Sequence, residues 1–478
     1  MRFKKVFLVL VAFIASICGL QFMGNYESVH ADSVNSNYQM VAHGYDWGPA
    51  IDQVVINTST PINSQKLSTD TFNVSNSDTY IPSTKRTVTK AYVSDAKGNP
   101  VDFASSRFIT LNLQVDPDLT VSNPFYFHQD SQLNIPVSVQ FQITQNSPLF
   151  TSSGAEITKI APTPRTTDVS YPELDKFSKN YSFTYQDKHF GTTKMQYTYY
   201  QAPTDQKHAL IIWLHGAGEG GWQPKPVSLL GSKAVTLAQN KIQSYFGNGA
   251  DILVPQARTY WLDTRTANEA GADDFGALGS NSTTLGYPNT VDGNQQRSRY
   301  ESGLTELIKE YIKSHPNIDQ NKIYIGGCSN GGYMALRMMI IHPDKFSAAF
   351  PTCEAYLDKN ISNKQISTIK NENIWFTQSR NDPIVNPQTS TVPTYKRLMA
   401  AGSKNVHFTF MDDVHDRTGL YKGKDGLPYQ YLGHFSWIDV LDDYPAPDYD
   451  GSQSENPDGT PTTVLSWVSQ QTKKTNWK

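Results

Sequence analysis

The chain has 478 residues, enough for two or three domains, and 38% of them are hydrophobic. Only 18% are charged and the formal net charge is −3, which excludes a basic nucleic-acid binder and a charged, unfolded tail. Function therefore has to be sought in motifs.

Residues 1–31 read as a secretory signal. Arg2, Lys4 and Lys5 precede an apolar run over residues 6–17, and Val29-His30-Ala31 has the small-x-small pattern of a cleavage site. Twelve apolar residues are too few to cross a bilayer as a helix, and Ile17 puts a bulky residue before Cys18 where a lipoprotein site takes a small one. The expectation is a secreted, extracellular chain without a stable membrane anchor. Beyond the signal only Cys328 and Cys353 remain, so no disulfide scaffold is possible, and two buried free thiols are expected ahead of a single bridge.

Residues 32–165 carry short apolar or alternating runs at 52–57, 87–94, 107–115, 133–143 and 155–160, separated by turn-prone stretches such as Asp95-Ala-Lys-Gly-Asn-Pro100. This spacing predicts an all-β, immunoglobulin-like sandwich. Residues 166–180 read as a linker. From 181 to 478 the pattern changes. Residues 181–185 and 194–201 predict an edge hairpin, and the continuous apolar run 209–214 a central strand covered on both faces. Strands at 252–254, 322–325, 347–350, 374–377 and 406–411 alternate with helices at 300–315, 333–341 and 392–401, and 464–470 closes the chain with a helix. That alternation predicts a mostly parallel sheet with helices on both faces.

The chemistry concentrates in Gly327-Cys328-Ser329-Asn330-Gly331, a G-x-S-x-G pattern directly after an apolar strand and directly before a helical run. In that context the tight turn lifts Ser329 above the sheet, close to a helix N-terminus. A serine hydroxyl needs a base, and the base an orienting acid, expected in the order Ser, acid, His on loops after later strands. Asp382 follows the strand 373–378 at once and lies 53 residues past Ser329, room for two helices and two strands; it also suits a turn cap before Pro383. For the base, His415 lies four residues past the strand 406–411, whereas His434 precedes the apolar run 437–441. The residues alone leave these two even. Leu214-His-Gly-Ala-Gly-Glu-Gly-Gly-Trp222 leaves a buried strand with flexible backbone, so Ala217 and the N–H of Asn330 are the expected oxyanion donors. His215 is read as shaping that loop. No Lys-Ser/Thr pair follows it, so it is not a phosphate cradle. The long insertion 256–299 borders the site, and Tyr260, Trp261, Phe275 and Tyr287, with Gly218, are candidate pocket residues, although the aromatics suit equally well the anchoring of a long loop. Asp273-Asp274 and Asp442-Asp443 have no calcium-loop spacing, and no metal or organic cofactor is expected.

With these pieces in view, residues 180–445 resemble the bacterial α/β-hydrolases described as predicted peptidases, phospholipase/carboxylesterase-like enzymes and polyhydroxybutyrate-depolymerase-like or feruloyl-esterase-like esterases. The resemblance rests on Ile211-Ile-Trp-Leu-His-Gly-Ala-Gly-Glu-Gly-Gly221, Ile252-Leu-Val-Pro-Gln256, Ile325-Gly-Gly-Cys-Ser-Asn-Gly-Gly332, Asn381-Asp-Pro383 and Gly433-His-Phe-Ser-Trp437. It implies Ser329 as nucleophile, Asp382 as acid and His434 as base, with His415 in reserve because the stretch between Asp412 and Gly433 is longer than in simpler members. It also implies an immunoglobulin-like domain in front, which would shape the cleft or mediate subunit contacts in a homo-oligomer. The expected function is hydrolysis of carboxylic esters, small or polysaccharide-linked, through an acyl-enzyme. A serine peptidase with the same three residues is the second reading, and a non-catalytic surface or carbohydrate-binding protein the third.

Overall fold

A computed structural model describes residues 30–31, 33–77, 83–128, 133–264, 297–475 and 477. Most of the signal, together with Asp273, Asp274, Phe275 and Tyr287, lies outside them. Among the described residues no helix is long and apolar enough to cross a membrane.

The N-terminal part is a sandwich. A five-stranded sheet runs in the order Thr163–Ser170, Ser36–Tyr45, Gly48–Asn63, Ser105–Leu113, Val88–Ser94. A three-stranded sheet, Gln140–Gln145, Phe72–Ser77, Thr84–Arg86, forms the second layer. Strand alternation sends Tyr38, Met40, Val54, Ile56, Ile109 and Leu111 inward, where they share one core with Phe72, Val74, Phe141 and Ile143.

Two local expectations need correction. Residues 166–170, expected as the start of a linker, continue the strand Thr163–Ser170, which pairs in parallel with Ser36–Tyr45 at the sheet edge. Thr163, Thr166 and Val169 favour extended backbone, and Pro164 is tolerated because an edge strand needs fewer N–H donors. The single run 133–143 divides at Pro136: Leu133–Pro136 pairs with Phe125–His128 and Gln140–Gln145 with Phe72–Ser77.

The larger part is built on eight strands: β1 (Tyr181–Asp187), β2 (Gly191–Tyr200), β3 (His208–Leu214), β4 (Ala250–Ala257), β5 (Ile318–Cys328), β6 (Ala348–Thr352), β7 (Ile374–Ser379) and β8 (Val406–Met411). Their order is β1-β2-β4-β3-β5-β6-β7-β8. The β1–β2 hairpin is antiparallel, β2 runs antiparallel to β4, and every later pairing is parallel. β3 shows why its run is wholly apolar. Leu210, Ile212 and Leu214 enter the core on one face, while Ala209, Ile211 and Trp213 enter the core on the other. Each such leucine or isoleucine side chain contributes about 1.5–3 kcal/mol on burial.

Among the described residues the α-helices are α1 (Asn240–Tyr245), α2 (Glu301–Ser314), α3 (Asn330–Ile341), α4 (Asn363–Ile369), α5 (Thr391–Ala400), α6 (Trp437–Leu441) and α7 (Val464–Gln470). Leu304, Leu307 and Ile308 of α2 join residues of α3, α4 and α5 in the first core. Ile242 of α1, Ile438 of α6 and Leu465 of α7 belong to the second. The short α4 is the second of the two helices expected between Ser329 and Asp382; Ser362 begins it with a capping box closed by Gln365.

The β domain meets the larger one beside the segment 412–433. Lys233 Nζ lies 2.5 Å from Asp46 and 2.7 Å from Asp442. The Tyr421 ring meets Trp47 edge-on at 4.7 Å, and the Tyr429 hydroxyl donates to Asp118 at 2.7 Å.

Candidate active site

β5 delivers a buried run to Cys328, and α3 starts at Asn330, so a single residue makes the turn. That residue, Ser329, has φ 54° and ψ −115°, a conformation most residues avoid, held here by its surroundings. Its N–H donates to Thr352 O at 2.9 Å, and its carbonyl accepts from Tyr333 N at 2.9 Å and Ala355 N at 3.1 Å. The turn depends on close approach: a Cβ on Gly331 would lie 2.0 Å from Leu214 O, and one on Gly327 2.6 Å from the same atom. Only glycine fits either position without moving β3.

Asp382 stands in the turn after β7. Its Oδ1 accepts the N–H groups of Ile384 and Val385, each at 2.9 Å, and its Oδ2 accepts Gln378 Nε2 at 3.1 Å. His434 Nδ1 approaches the same carboxylate at 2.9 Å from Oδ2 and 3.1 Å from Oδ1. Turn cap and histidine partner are thus one group. Burial works to raise its pKa, but the hydrogen bonds from His434 and the two backbone N–H groups outweigh burial and hold it below the ordinary carboxylate value. With Nδ1–H donated to a carboxylate, Nε2 is the ring position left to take a proton.

The peptide around His434 fits tightly against the Asp382 turn. Ser379 Oγ donates to Gly433 O at 2.6 Å, and a Cβ on Gly433 would lie 2.1 Å from Asn381 Oδ1. Trp437, at the start of α6, sets its ring edge-on to the imidazole at 5.8 Å. His415 is placed differently: its Nδ1 is 2.7 Å from Asp413, its side chain is 41% exposed, and it bridges to Gln430. The structure therefore brings His434, and not His415, to Asp382. Burial pushes the Cys353 thiol well above its ordinary value, and the Asp382 carboxylate adds to the rise. Cys328 and Cys353 are both buried and free.

On the other side of Ser329 lies the loop after β3. His215 is fully buried, with Nδ1 2.7 Å from Gly216 O and Nε2 accepting the Ala257 N–H at 3.0 Å. Burial pushes its pKa down to about 4, so the ring is neutral and shapes the loop. Ala217 and Gly218, half-buried, open the 3-10 turn Ala217–Glu219, and Asn330 opens α3. First-turn N–H groups have no acceptor within their own helix, so each of these can face an oxyanion.

Trp261 is a correction. It is fully enclosed, donates its N–H to Asn330 Oδ1 at 2.6 Å and its indole Nε1–H to His215 O at 3.1 Å, and belongs to the main core. It braces the elbow against the oxyanion loop and does not wall an open pocket. Tyr260 is half-buried beside it. Glu219 and Gln378 were missed; the Glu219 signal was its position three residues after Gly216, the spacing of a capping box.

Among the described residues no group of three or more His, Cys, Asp or Glu side chains is arranged to hold a metal ion. Asp442 and Asp443 face Lys233 and Lys241. An open depression of about 560 Å³, lined by Asn37, Asn57, Arg107 and Lys159 among others, lies on the β domain and contains none of the residues above.

Residues 195–419 match the family model described as phospholipase/carboxylesterase, and residues 37–158 match the esterase Ig-like N-terminal domain. The chain thus carries an esterase Ig-like domain followed by an α/β-hydrolase domain of the phospholipase/carboxylesterase type. Among solved structures, a thermostable esterase is 23% identical and matches over 91% of this chain and 100% of its own, at a TM-score of 0.65. At that identity the likeness establishes the shared fold. A ferulic acid esterase (16% identical, 50% of this chain and 91% of its own, TM-score 0.34) and an S-formylglutathione hydrolase from Agrobacterium tumefaciens (10%, 55% and 93%, 0.35) are more distant and bear no weight. No curated protein matches the hydrolase significantly.

Proposed function

We propose that the hydrolase is a secreted serine esterase acting on carboxylic esters, with Ser329 as nucleophile, His434 as base and Asp382 as the orienting acid. The observation that carries this reading is the buried Asp382–His434 pair at 2.9 Å on the same strand-end surface as a serine held at φ 54°. Ser329 Oγ attacks the acyl carbonyl as His434 Nε2 takes its proton. Asp382 holds the imidazole tautomer and stabilises the imidazolium. The N–H groups of Asn330 and Ala217 receive the oxyanion. His434 returns the proton to the leaving alcohol and then activates the water that releases the acid.

Short acyl or aryl esters, free or attached to polysaccharide, suit an exported enzyme. The same residues would serve a peptidase, so a substrate panel separates the two. Mature protein is expected to hydrolyse p-nitrophenyl acetate and butyrate, to leave peptidyl-nitroanilides uncleaved, and to lose ester turnover in Ser329→Ala. Anilide cleavage as fast as ester cleavage and equally dependent on Ser329 would replace the esterase by a peptidase. Turnover of neither substrate class would favour a binding role centred on the β domain.

A further inference from the structure

The oxyanion loop holds a buried carboxyl that the mechanism above leaves without a task. Glu219 is 5% exposed and ends the Ala217–Glu219 turn. Its Oε2 accepts the Gly216 N–H at 2.8 Å, and its own carbonyl is held by Gln256 Nε2 at 2.8 Å and Ser228 Oγ at 3.2 Å. The space around the carboxyl is closed. A Cβ on Gly231 would come within 2.3 Å of Oε1, and one on Gly216 would meet Cys328 Sγ at 3.5 Å and Glu219 Oε2 at 3.6 Å. The carboxyl and the Cys328 thiol thus share the space beside Gly216, one residue before the nucleophile.

A Gly216 N–H engaged by Glu219 is withdrawn from any oxyanion, while Ala217 and Gly218 keep the free donors of a first turn. We infer that Glu219 is a positioning residue: by fixing Gly216 it presents the N–H groups of Ala217 and Gly218 to the alkoxide formed when Ser329 attacks. This rests on the esterase reading.

Charge makes the idea testable. Burial pushes the Glu219 pKa up to about 8, against the Gly216 N–H that favours the charged form. The titratable groups packed on it are neutral in the working range: His215 in its own loop is held down to about 4, and the Cys328 thiol on β5 is pushed up by burial. A neutral carboxyl leaves the oxyanion undisturbed. As pH rises through about 8 the carboxyl becomes negative beside the growing oxyanion, which disfavours the transition state more than the neutral bound ester. The sign is therefore a fall in kcat on the alkaline side, with KM little changed.

The experiment is kcat and KM for p-nitrophenyl acetate between pH 6 and 10, on mature wild type, Ser329→Ala, Glu219→Ala and Glu219→Gln. Wild type is expected to lose kcat with an apparent pKa near 8. Glu219→Ala should lower kcat by ~10–100-fold, the scale of a misplaced catalytic group, with KM within about threefold. Glu219→Gln keeps an acceptor oxygen but does not ionise, so it should recover most of that loss and abolish the alkaline fall. Wild-type kcat in Glu219→Ala, a loss expressed only in KM, or an alkaline fall that persists in Glu219→Gln would each overturn the inference. If Glu219→Ala does not fold, the Glu219→Gln profile decides alone. Equal turnover by wild type and Ser329→Ala would instead sink the esterase reading, and this inference with it.

Discussion

In the β domain, the largest buried polar side chains turn to the backbone. The Tyr38 hydroxyl donates to Phe141 O at 3.0 Å and accepts from Phe141 N at 2.8 Å, and Arg86 donates to the carbonyls of Ile51 and Gln114 at 2.9 and 3.1 Å. At the C-terminal ends of the hydrolase strands, His215, Glu219, Ser329, Asp382 and His434 are also buried, but they crowd into a few adjoining loops. A lone polar group tied to backbone holds two segments together, and its loss costs stability alone. A crowd of titratable groups adds little stability and is the arrangement chemistry requires. The difference separates a structural interior from a working one within a single chain.

Substitutions can break that comparison on either side. On the hydrolase side, His434→Ala is expected to lower kcat for p-nitrophenyl acetate by ~10⁴-fold or more and Asp382→Asn by ~10³–10⁴-fold, with melting temperatures close to wild type. Large stability losses with modest kinetic ones would make the Asp382–His434 pair structural. Gly331→Ala tests the elbow itself. The added Cβ meets Leu214 O at 2.0 Å, so unfolding free energy in urea should fall by about 3 kcal/mol.

Much of this was legible because the signals were local and repeated. The run 209–214 is apolar at every position because β3 is covered on both faces, and the glycines around Ser329 mark backbone contacts that tolerate no Cβ. What was not legible depends on which segments come back to meet which. The spacing of His415 and His434 along the chain says nothing about which loop returns to Asp382; that return is made by Gly433 against Asn381 and Ser379. Trp261 looked like pocket lining because an aromatic in a long insertion gives no hint that its two N–H groups will be claimed by Asn330 and His215. Residues 166–170 looked like a linker because Pro162 and Pro164 just before them read as breaks, although an edge strand accepts proline.

Smaller effects sharpen the same contrast. Tyr38→Phe should cost about 1–3 kcal/mol of stability by leaving the Phe141 backbone groups unpaired, and leave kcat unchanged. A kinetic defect there would mean that the β domain's interior also serves the site. His415→Ala, on a half-exposed side chain paired with Asp413, should change kcat by less than about threefold; a loss as large as that of His434→Ala would exchange the two histidines.

The central claim is that Ser329 is the nucleophile and His434 its base. Reaction of the mature protein with a fluorophosphonate probe, followed by peptide mass mapping, tests it most directly. One equivalent of probe on the peptide containing Ser329, with labelling strongly slowed in His434→Ala, is the predicted result. Probe on a different residue, or ester turnover that persists with Ser329 unlabelled, would contradict it.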